Sequence, residues 1–296
     1  LFPGQGSQRP GMGSDLYAAP ELRDLFYLAS EVLGHDFLDT LANGDEAALA
    51  DTTIAQPALL VSGVAATRWL AQRGIHANGV AGHSLGEITA LVAAGACGYE
   101  EALAFTRERA RLMSEDVPPG GMAAVLGLTR DEIAAHLPDD VDIANENGPA
   151  QTIISGANEA LERAGAALKE AGAKRVMPLK VSGPFHSRHM RPAAEKFARV
   201  IAHVNFHVPQ TPFVSSVSGQ VEHDPGRIRT LLAEQLCSRV RWTDVMQHIG
   251  PQAAWELGPG TVLAGLAKRT SEAPQVAPAG TIEELSARCA ETSGDA

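Results

Sequence analysis

Aromatic residues are scarce in this chain, at 5% of 296 positions, and cysteine is scarcer, with only Cys97, Cys237 and Cys289. Far apart and odd in number, these thiols exclude a disulfide framework and offer no zinc-ligand spacing, which predicts a reducing, cytoplasmic compartment. Basic side chains are outnumbered, 24 Lys and Arg against 35 Asp and Glu, for a net charge of −11. That balance argues against nucleic acid or an anionic membrane as the main partner. No apolar run approaches the length of a bilayer span, and no signal peptide is visible. Repeats, low-complexity tracts, a Walker A loop and a G-x-G-x-x-G fingerprint are all missing. What remains is a chain with 45% hydrophobic residues, long enough for one large or two modest domains around a sizeable core. It opens on Leu1, without methionine and already inside a motif, which predicts further residues upstream.

The stretch Val80-Ala81-Gly82-His83-Ser84-Leu85-Gly86-Glu87-Ile88 organises the rest. Ser84 is the centre of a G-x-S-x-G pattern, with small apolar residues leading in and an apolar helical run (Leu85, Ile88, Leu91, Val92) leading out. Strand, sharp turn and helix in that order make a nucleophile elbow. Gly82 and Gly86 fit positions where backbone crosses backbone, and the helix N-terminus favours negative charge developing beside Ser84. The alternative is a helix N-cap serine on a glycine-rich turn. Leu1-Phe2-Pro3-Gly4-Gln5-Gly6-Ser7-Gln8 reads as a strand end entering a loop that lets backbone N–H groups approach a ligand, or else as a flexible connector.

Residues 14 to 50 carry helical periodicity, and Thr53 to Gln72 form a longer apolar helix opened by Gln56-Pro57. Tyr99 to Met113 is an amphipathic helix carrying Arg107, Arg109 and Arg111. After Val117-Pro118-Pro119-Gly120-Gly121 the pattern changes. Strands over Met122 to Leu128, Val141 to Ala144, Gln151 to Ser155 and Arg175 to Val181 alternate with helices over Thr129 to Leu137 and Asn158 to Ala171, giving a ferredoxin-like βαββαβ unit. The main domain resumes at Gly183, with helix over Arg191 to His203, β structure over Thr211 to Ser218, helix over Arg227 to Leu236, a strand over Ala253 to Leu257 and a small helix near Ile282 to Glu291. The expected fold is α/β: an α/β-hydrolase-like main domain with a parallel sheet, residues 1–116 and 183–296, and an inserted ferredoxin-like subdomain, residues 117–182.

A serine hydroxyl needs a base. His186, in Gly183-Pro184-Phe185-His186-Ser187, lies where the inserted unit returns to the main domain, a cleft position. The spacings His186-x-x-His189 and His203-x-x-x-His207 lack the glutamate of H-E-x-x-H and nearby cysteines, so no metal is expected. Arg109 is either a solvated charge or a fork projecting into a cleft to meet a carboxylate. Lys174, Arg175, Lys180, Arg188, Arg191, Lys196 and Arg199 surround the single acid Glu195. This is a solvated face or a dock for an acidic partner.

With these parts in order, the chain resembles malonyl-CoA:acyl carrier protein transacylases and the acyltransferase domains of polyketide synthases. The resemblance spans nearly the whole chain. It rests on Phe2-Pro3-Gly4-Gln5-Gly6-Ser7-Gln8, Gly82-His83-Ser84-Leu85-Gly86-Glu87, Arg109-Ala110-Arg111-Leu112-Met113, Gly120-Gly121-Met122, Asn147-Gly148-Pro149-Ala150-Gln151, Gly183-Pro184-Phe185-His186-Ser187, Gln235-Leu236 with Val240-Arg241-Trp242, and Glu256-Leu257-Gly258-Pro259-Gly260.

The resemblance implies Ser84 as acylated nucleophile and His186 as its base, oriented by the main-chain carbonyl of Gln235 and not by a carboxylate. It further implies an oxyanion hole from the N–H groups of Gln5 and Leu85, Arg109 on the malonyl carboxylate, and Phe185 in the malonyl-selecting position. Lys174, Arg175, Lys180 and Arg188 then become candidates for docking an acidic acyl carrier protein. No permanently bound cofactor is implied; malonyl-CoA is the substrate and phosphopantetheine arrives on the partner. Where many relatives have Ser-Asn-Val, this chain has Ser215-Ser216-Val217. The rival readings are an acyl hydrolase on the same scaffold and a non-malonyl acyltransferase acting between carrier proteins.

Overall fold

The computed structural model describes residues 1–34, 36–115, 117–149 and 151–294, so the expected boundary at residue 116 and Ala150 of the Asn147–Gln151 motif lie outside the described residues. Four helices come first: α1 (Ser14–Ala18), α2 (Arg23–Leu33), α3 (Asp36–Asn43) and α4 (Glu46–Ala50). The long helix α5 (Thr52–Ala71) buries 15 of its 20 residues, as a helix apolar on every side must. It begins at Thr52, one residue before the predicted Thr53. Asp51 caps it, its carboxylate accepting from the Thr53 N–H at 2.7 Å, and Pro57 lies inside the helix. Gln56 is thereby a helical residue on a fixed stem.

Strand β1 (Val80–Ala81) leads to α6 (Leu85–Ala93), and α7 (Tyr99–Leu112) follows. Then come β2 (Gly121–Leu126), α8 (Arg130–Ala134), β3 (Val141–Gly148), β4 (Gln151–Gly156), α9 (Asn158–Glu170) and β5 (Arg175–Pro178). These strands form one antiparallel sheet in the order β3-β4-β2-β5. Ala123, Val125, Ile133, Val141, Ile154, Ala160 and Leu168 give it an apolar cluster of its own. Thr129 caps α8 and Glu132 returns the bond. The last strand stops at Pro178, short of the predicted Val181, because proline ends a ladder. Strand β3 runs four residues past the predicted Ala144 because Asn145, Glu146 and Gly148 go on pairing with β4; Glu146 N–H donates to Val240 C=O and Val240 N–H to Ala144 C=O, both at 2.8 Å, tying the strand to the rest of the chain.

The chain continues through α10 (Arg191–Ile201), β6 (Phe213–Val214), β7 (Val221–Glu222), α11 (Pro225–Glu234), α12 (Trp242–Ile249), β8 (Ala253–Glu256), α13 (Val262–Ala267), β9 (Gln275–Pro278) and α14 (Ile282–Gly294). The β structure expected over Thr211 to Ser218 shrinks to two residues, since Ser215 and Ser216 leave the ladder to bond a buried carboxylate. Strands β1 and β6 are parallel, β6 and β7 antiparallel, β8 and β9 parallel.

Leu1 and Phe2 join these pieces. Phe2 N–H donates to Ala81 C=O and His83 N–H to Phe2 C=O, both at 3.0 Å; Leu257 N–H donates to Leu1 C=O at 2.8 Å. One apolar cluster collects side chains of α5, α6 and α7, and another gathers Ala81, Val214, Trp242, Leu263 and Leu266. Helices packed on mixed parallel and antiparallel strands make the chain α/β. The edge of this array where β1 ends carries the elbow. Among the described residues, no helix is long and apolar enough to cross a membrane.

Candidate active site

Ser84 sits between β1 and α6 with φ 51° and ψ −111°, a region that a side chain adopts only when its surroundings enforce it. The flanking glycines are what make that turn possible. A Cβ on Gly82 would lie 1.9 Å from Gly86 backbone atoms, and one on Gly86 would lie 2.0 Å from the Phe2 carbonyl oxygen. Ser84 occupies the N-cap position of α6, yet its hydroxyl makes no capping bond. It faces instead His186 Nε2 at 2.8 Å and Arg109 Nη2 at 3.2 Å. The sharp turn thus aims the side chain away from its own helix.

His186 also has positive φ, 56°, and its N–H donates to Leu236 C=O at 3.0 Å. Two carbonyl oxygens face Nδ1, Gln235 at 2.9 Å and Ser238 at 3.2 Å. Carbonyls only accept, so the network assigns the proton to Nδ1 and leaves the Nε2 lone pair toward the Ser84 O–H. Among the described residues no carboxylate is hydrogen-bonded to the ring. Burial, with the Arg109 charge as the second cause, lowers the imidazole pKa from 6.5 to about 3, so the ring is neutral at physiological pH.

Arg107, Arg109 and Arg111 alternate along α7. At ~100° per residue, Arg109 lies about 200° from each of the others, which are within about 40° of one another. Arg107 and Arg111 accordingly remain exposed, while Arg109 is 1% exposed. Its Nη1 donates to Gln56 Oε1 at 2.6 Å and its Nη2 to Gln235 Oε1 at 2.7 Å; Nε is buried without an acceptor. Burial lowers its pKa to about 10, opposed by the charge of Glu87, so it remains a cation at neutral pH.

Gln235 opens a short 3-10 turn after α11 and is fully buried. Its carbonyl accepts a hydrogen bond from His186 Nδ1–H. Its amide accepts from Arg109 and donates to Ser84 C=O at 3.1 Å and Glu87 Oε2 at 2.8 Å. The main-chain N–H groups of Gln5 and Leu85 have no intramolecular acceptor among the described residues. The Gln5 side chain donates to Thr52 Oγ1 at 3.0 Å. Phe185 is 4% exposed and joins the main core beside Gly183 and Val117.

A cleft of about 1080 Å³ opens from His186, lined also by Arg130, Arg188, Arg191, Cys237 and Arg239. Lys174, Arg175 and Lys180 are exposed around β5, next to the exposed Met177 and Leu179. Arg188 differs from them, since its Nε and Nη2 bond Asp142 at 2.9 and 2.5 Å, so that carboxylate largely offsets its charge. Among the described residues, no group of His, Cys, Asp and Glu could hold a metal ion. His186 faces Ser84, and His189 Nε2 contacts Asp140 C=O at 3.0 Å.

Sequence reasoning left three parts of this site without a role: Gln56, Glu87 and the side chain of Gln235. Glu87 did carry a signal, as an acid one turn into an otherwise apolar helix. An isolated charge there is costly unless partners wait for it.

The chain matches a family model described as "Acyl transferase domain" over residues 1–287. It is 42% identical over 281 residues to the malonyl CoA-acyl carrier protein transacylase of Salmonella typhimurium, covering 91% of each chain. Among solved structures it superposes with a TM-score of 0.92 on an acyl carrier protein S-malonyltransferase from Vibrio cholerae, at 39% identity over 97% of this chain and 98% of that one. It superposes equally, at 0.92 and 40% identity over 98% of each chain, on a malonyl-transacylase solved in complex with its type II polyketide synthase acyl-carrier protein. The elbow, its partners and these likenesses agree: the chain belongs to the acyl transferase domain family.

Proposed function

We propose that this chain moves a malonyl group from malonyl-CoA to the phosphopantetheine thiol of an acyl carrier protein, in fatty acid or polyketide synthesis, through an ester on Ser84. One observation carries the reading: Ser84 Oγ lies 2.8 Å from His186 Nε2 and 3.2 Å from Arg109 Nη2. A nucleophile with a base serves many acyl transfers. A buried guanidinium beside it selects an acyl group that carries its own carboxylate. The likeness to enzymes named for malonyl transfer, one of them bound to its carrier, supports the same substrate and partner.

In the first half-reaction His186 Nε2 takes the Ser84 proton as Oγ bonds to the thioester carbon. The oxyanion rests against the N–H groups of Gln5 and Leu85, which have no competing internal acceptor among the described residues. The C–S bond then breaks, and the coenzyme A sulfur leaves with the proton from Nδ1-anchored His186. Gln235 C=O holds the ring throughout. The malonyl carboxylate replaces Ser84 Oγ as an acceptor for Arg109 and reaches its spare Nε–H. The carrier thiol next gives its proton to His186 and attacks the ester, and Ser84 recovers its hydrogen. Phe185, packed before His186, restricts room for an α-methyl group.

The same reading divides the chain into an α/β-hydrolase-like body, residues 1–116 and 183–296, and a ferredoxin-like insert, residues 117–182. The strand order β3-β4-β2-β5, all antiparallel, and the separate apolar cluster support the insert. A cytoplasmic setting fits the unbridged thiols of Cys97 and Cys237.

A neutral base at low pH is a testable consequence. A histidine of ordinary pKa would lose about tenfold in its basic form between pH 7.5 and pH 5.5. With the folded pKa lowered to about 3, kcat/KM for malonyl-CoA should fall less than about twofold over that interval. An acid limb near 6.5 would count against it. Stability behaves differently over the same range: the unfolded ring gains its proton near 6.5 while the folded ring stays neutral, so the contribution of His186 is complete above that pH and is lost as pH falls toward about 3.

A two-stage assay tests the whole reaction. Malonyl-CoA alone should leave a malonyl-enzyme that releases malonic acid slowly, and holo-carrier should discharge it rapidly. Fast release of malonic acid without the carrier would favour the hydrolase. Charge reversal at Lys174 and Arg175, with Lys180 as a further site, should raise the carrier's KM severalfold and spare the first stage. Arg188, held by Asp142, contributes less to docking.

A further inference from the structure

Beneath the reacting groups lies a carboxylate that the steps above do not use. Glu87 is 2% exposed, on the first turn of α6 below Ser84. Its Oε1 accepts from Ser215 Oγ at 2.8 Å; its Oε2 accepts from Ser216 N–H at 3.2 Å, Ser216 Oγ and Gln235 Nε2 at 2.8 Å. The backbone N–H and the amide NH₂ can only donate, and Ser215 Oγ already accepts from Val217 N–H at 3.2 Å. A ring of donors around both oxygens is the environment of an ionised carboxylate. Burial raises its pKa above the ordinary carboxylate range and the hydroxyl, amide and backbone bonds offset that only in part, so it is the donor geometry that favours the charged form.

The Gln235 amide transmits this arrangement. With Nε2 fixed between Glu87 Oε2 and Ser84 C=O, Oε1 must point the other way, where Arg109 Nη2 meets it at 2.7 Å. Without the carboxylate, only Ser84 C=O and Arg109 Nη2 among the described residues hold the amide in this orientation, and Nε2 loses the shorter of its two bonds; a flipped amide would present NH₂ to a guanidinium, donor against donor. Among the described residues the hydrogen-bonding partners of Arg109 are Gln56, Gln235 and Ser84, all neutral, and the charge that opposes the burial of this cation is that of Glu87.

We infer that Glu87 is a positioning residue for substrate selection: through the Gln235 amide it fixes the guanidinium of Arg109 against Ser84, with Ser215 and Ser216 holding the carboxylate in place. Ser216 supplies two of the donors from a single residue, which gives the Ser215-Ser216-Val217 sequence a task.

The inference rests on the reading of Arg109 as the malonyl clamp, and the test separates the two. Kinetics of acylation by malonyl-CoA and acetyl-CoA would be compared for the parent, Glu87→Gln, Ser216→Ala and Arg109→Ala, with thermal unfolding of each. Glu87→Gln should lower the malonyl-to-acetyl ratio of kcat/KM by about tenfold, the scale expected when a reacting group is misplaced by a fraction of an ångström to an ångström. Ser216→Ala should shift the ratio the same way by a smaller factor. A residue of merely structural importance would lower both rates in proportion; that outcome, or an unchanged ratio, overturns the proposal. Should Glu87→Gln fail to fold, Ser216→Ala decides alone, and an unmoved ratio there is equally fatal. If Arg109→Ala leaves the ratio untouched, the clamp reading itself fails; if it moves the ratio and the Glu87 and Ser216 variants do not, only the positioning role falls.

Discussion

Replacement of Ser84 by alanine abolishes covalent labelling by malonyl-CoA, and intact mass after incubation shows the unmodified chain alone. The expected loss in acylation rate is on the order of a millionfold, the scale seen when the nucleophile of a serine enzyme is deleted. No other hydroxyl substitutes, because among the described residues only Ser84 faces an imidazole whose proton is pinned to Nδ1 by two carbonyls. The cost to the fold is modest. Two hydrogen bonds of Oγ disappear, about 1 kcal/mol for the neutral imidazole and about 1.5–3 kcal/mol for the charged guanidinium, which lowers the thermal midpoint by several degrees. A variant that unfolds early would leave the result ambiguous, so His186→Ala serves as a second probe. It keeps the hydroxyl and removes the base, and labelling should become very slow while remaining at Ser84. Persistent, stoichiometric labelling of Ser84→Ala at the parent's rate would remove Ser84 from the mechanism.

The elbow was legible because its constraint is local. Glycine, serine and glycine at fixed spacing between an apolar run and a helix leave few other turns, and the close approaches at Gly82 and Gly86 are the physical content of that pattern. The strands of the antiparallel sheet were legible too, since Gly121–Leu126 and Gln151–Gly156 carry continuous buried runs long enough to register. The strands of the main body are harder to read. Val80–Ala81 and Phe213–Val214 offer two residues each, too few to carry a period, and the contribution of Leu1-Phe2 is defined only by partners far along the chain.

The polar network was hidden for a related reason. Gln56, Glu87, Ser216 and Gln235 come from four separate segments, and nothing in composition or spacing says that they converge. Gln235 entered through its carbonyl, by resemblance; that its amide also links Arg109, Ser84 and Glu87 required coordinates. Arg109 stands between these cases. Its two readings, solvated charge or cleft cation, could not be separated by the helix pattern until the partners on α5 and the Gln235 turn fixed which side of α7 is buried.

Arg109→Ala should turn the preference of the site from malonyl-CoA toward acetyl-CoA. A hydrogen-bonded charge pair in a buried site is worth about 1.5–3 kcal/mol, which corresponds to roughly ten- to a hundredfold in relative kcat/KM. The acetyl group has no carboxylate to lose, so its rate should hold or rise while the malonyl rate falls. The substitution also strips Gln56 Oε1 and Gln235 Oε1 of a donor and removes the buried charge that Glu87 opposes, so the variant will be less stable than Ser84→Ala. Arg109→Lys separates specificity from stability. A lysine keeps the charge opposite Glu87, but its single nitrogen cannot reproduce the fork that spans Gln56, Gln235 and a bound carboxylate. It should recover much of the stability and only part of the discrimination. Equal losses on both thioesters in both variants would mean that Arg109 supports the scaffold and reads nothing in the acyl group, and the choice of malonyl would then have to come from the packing around Phe185.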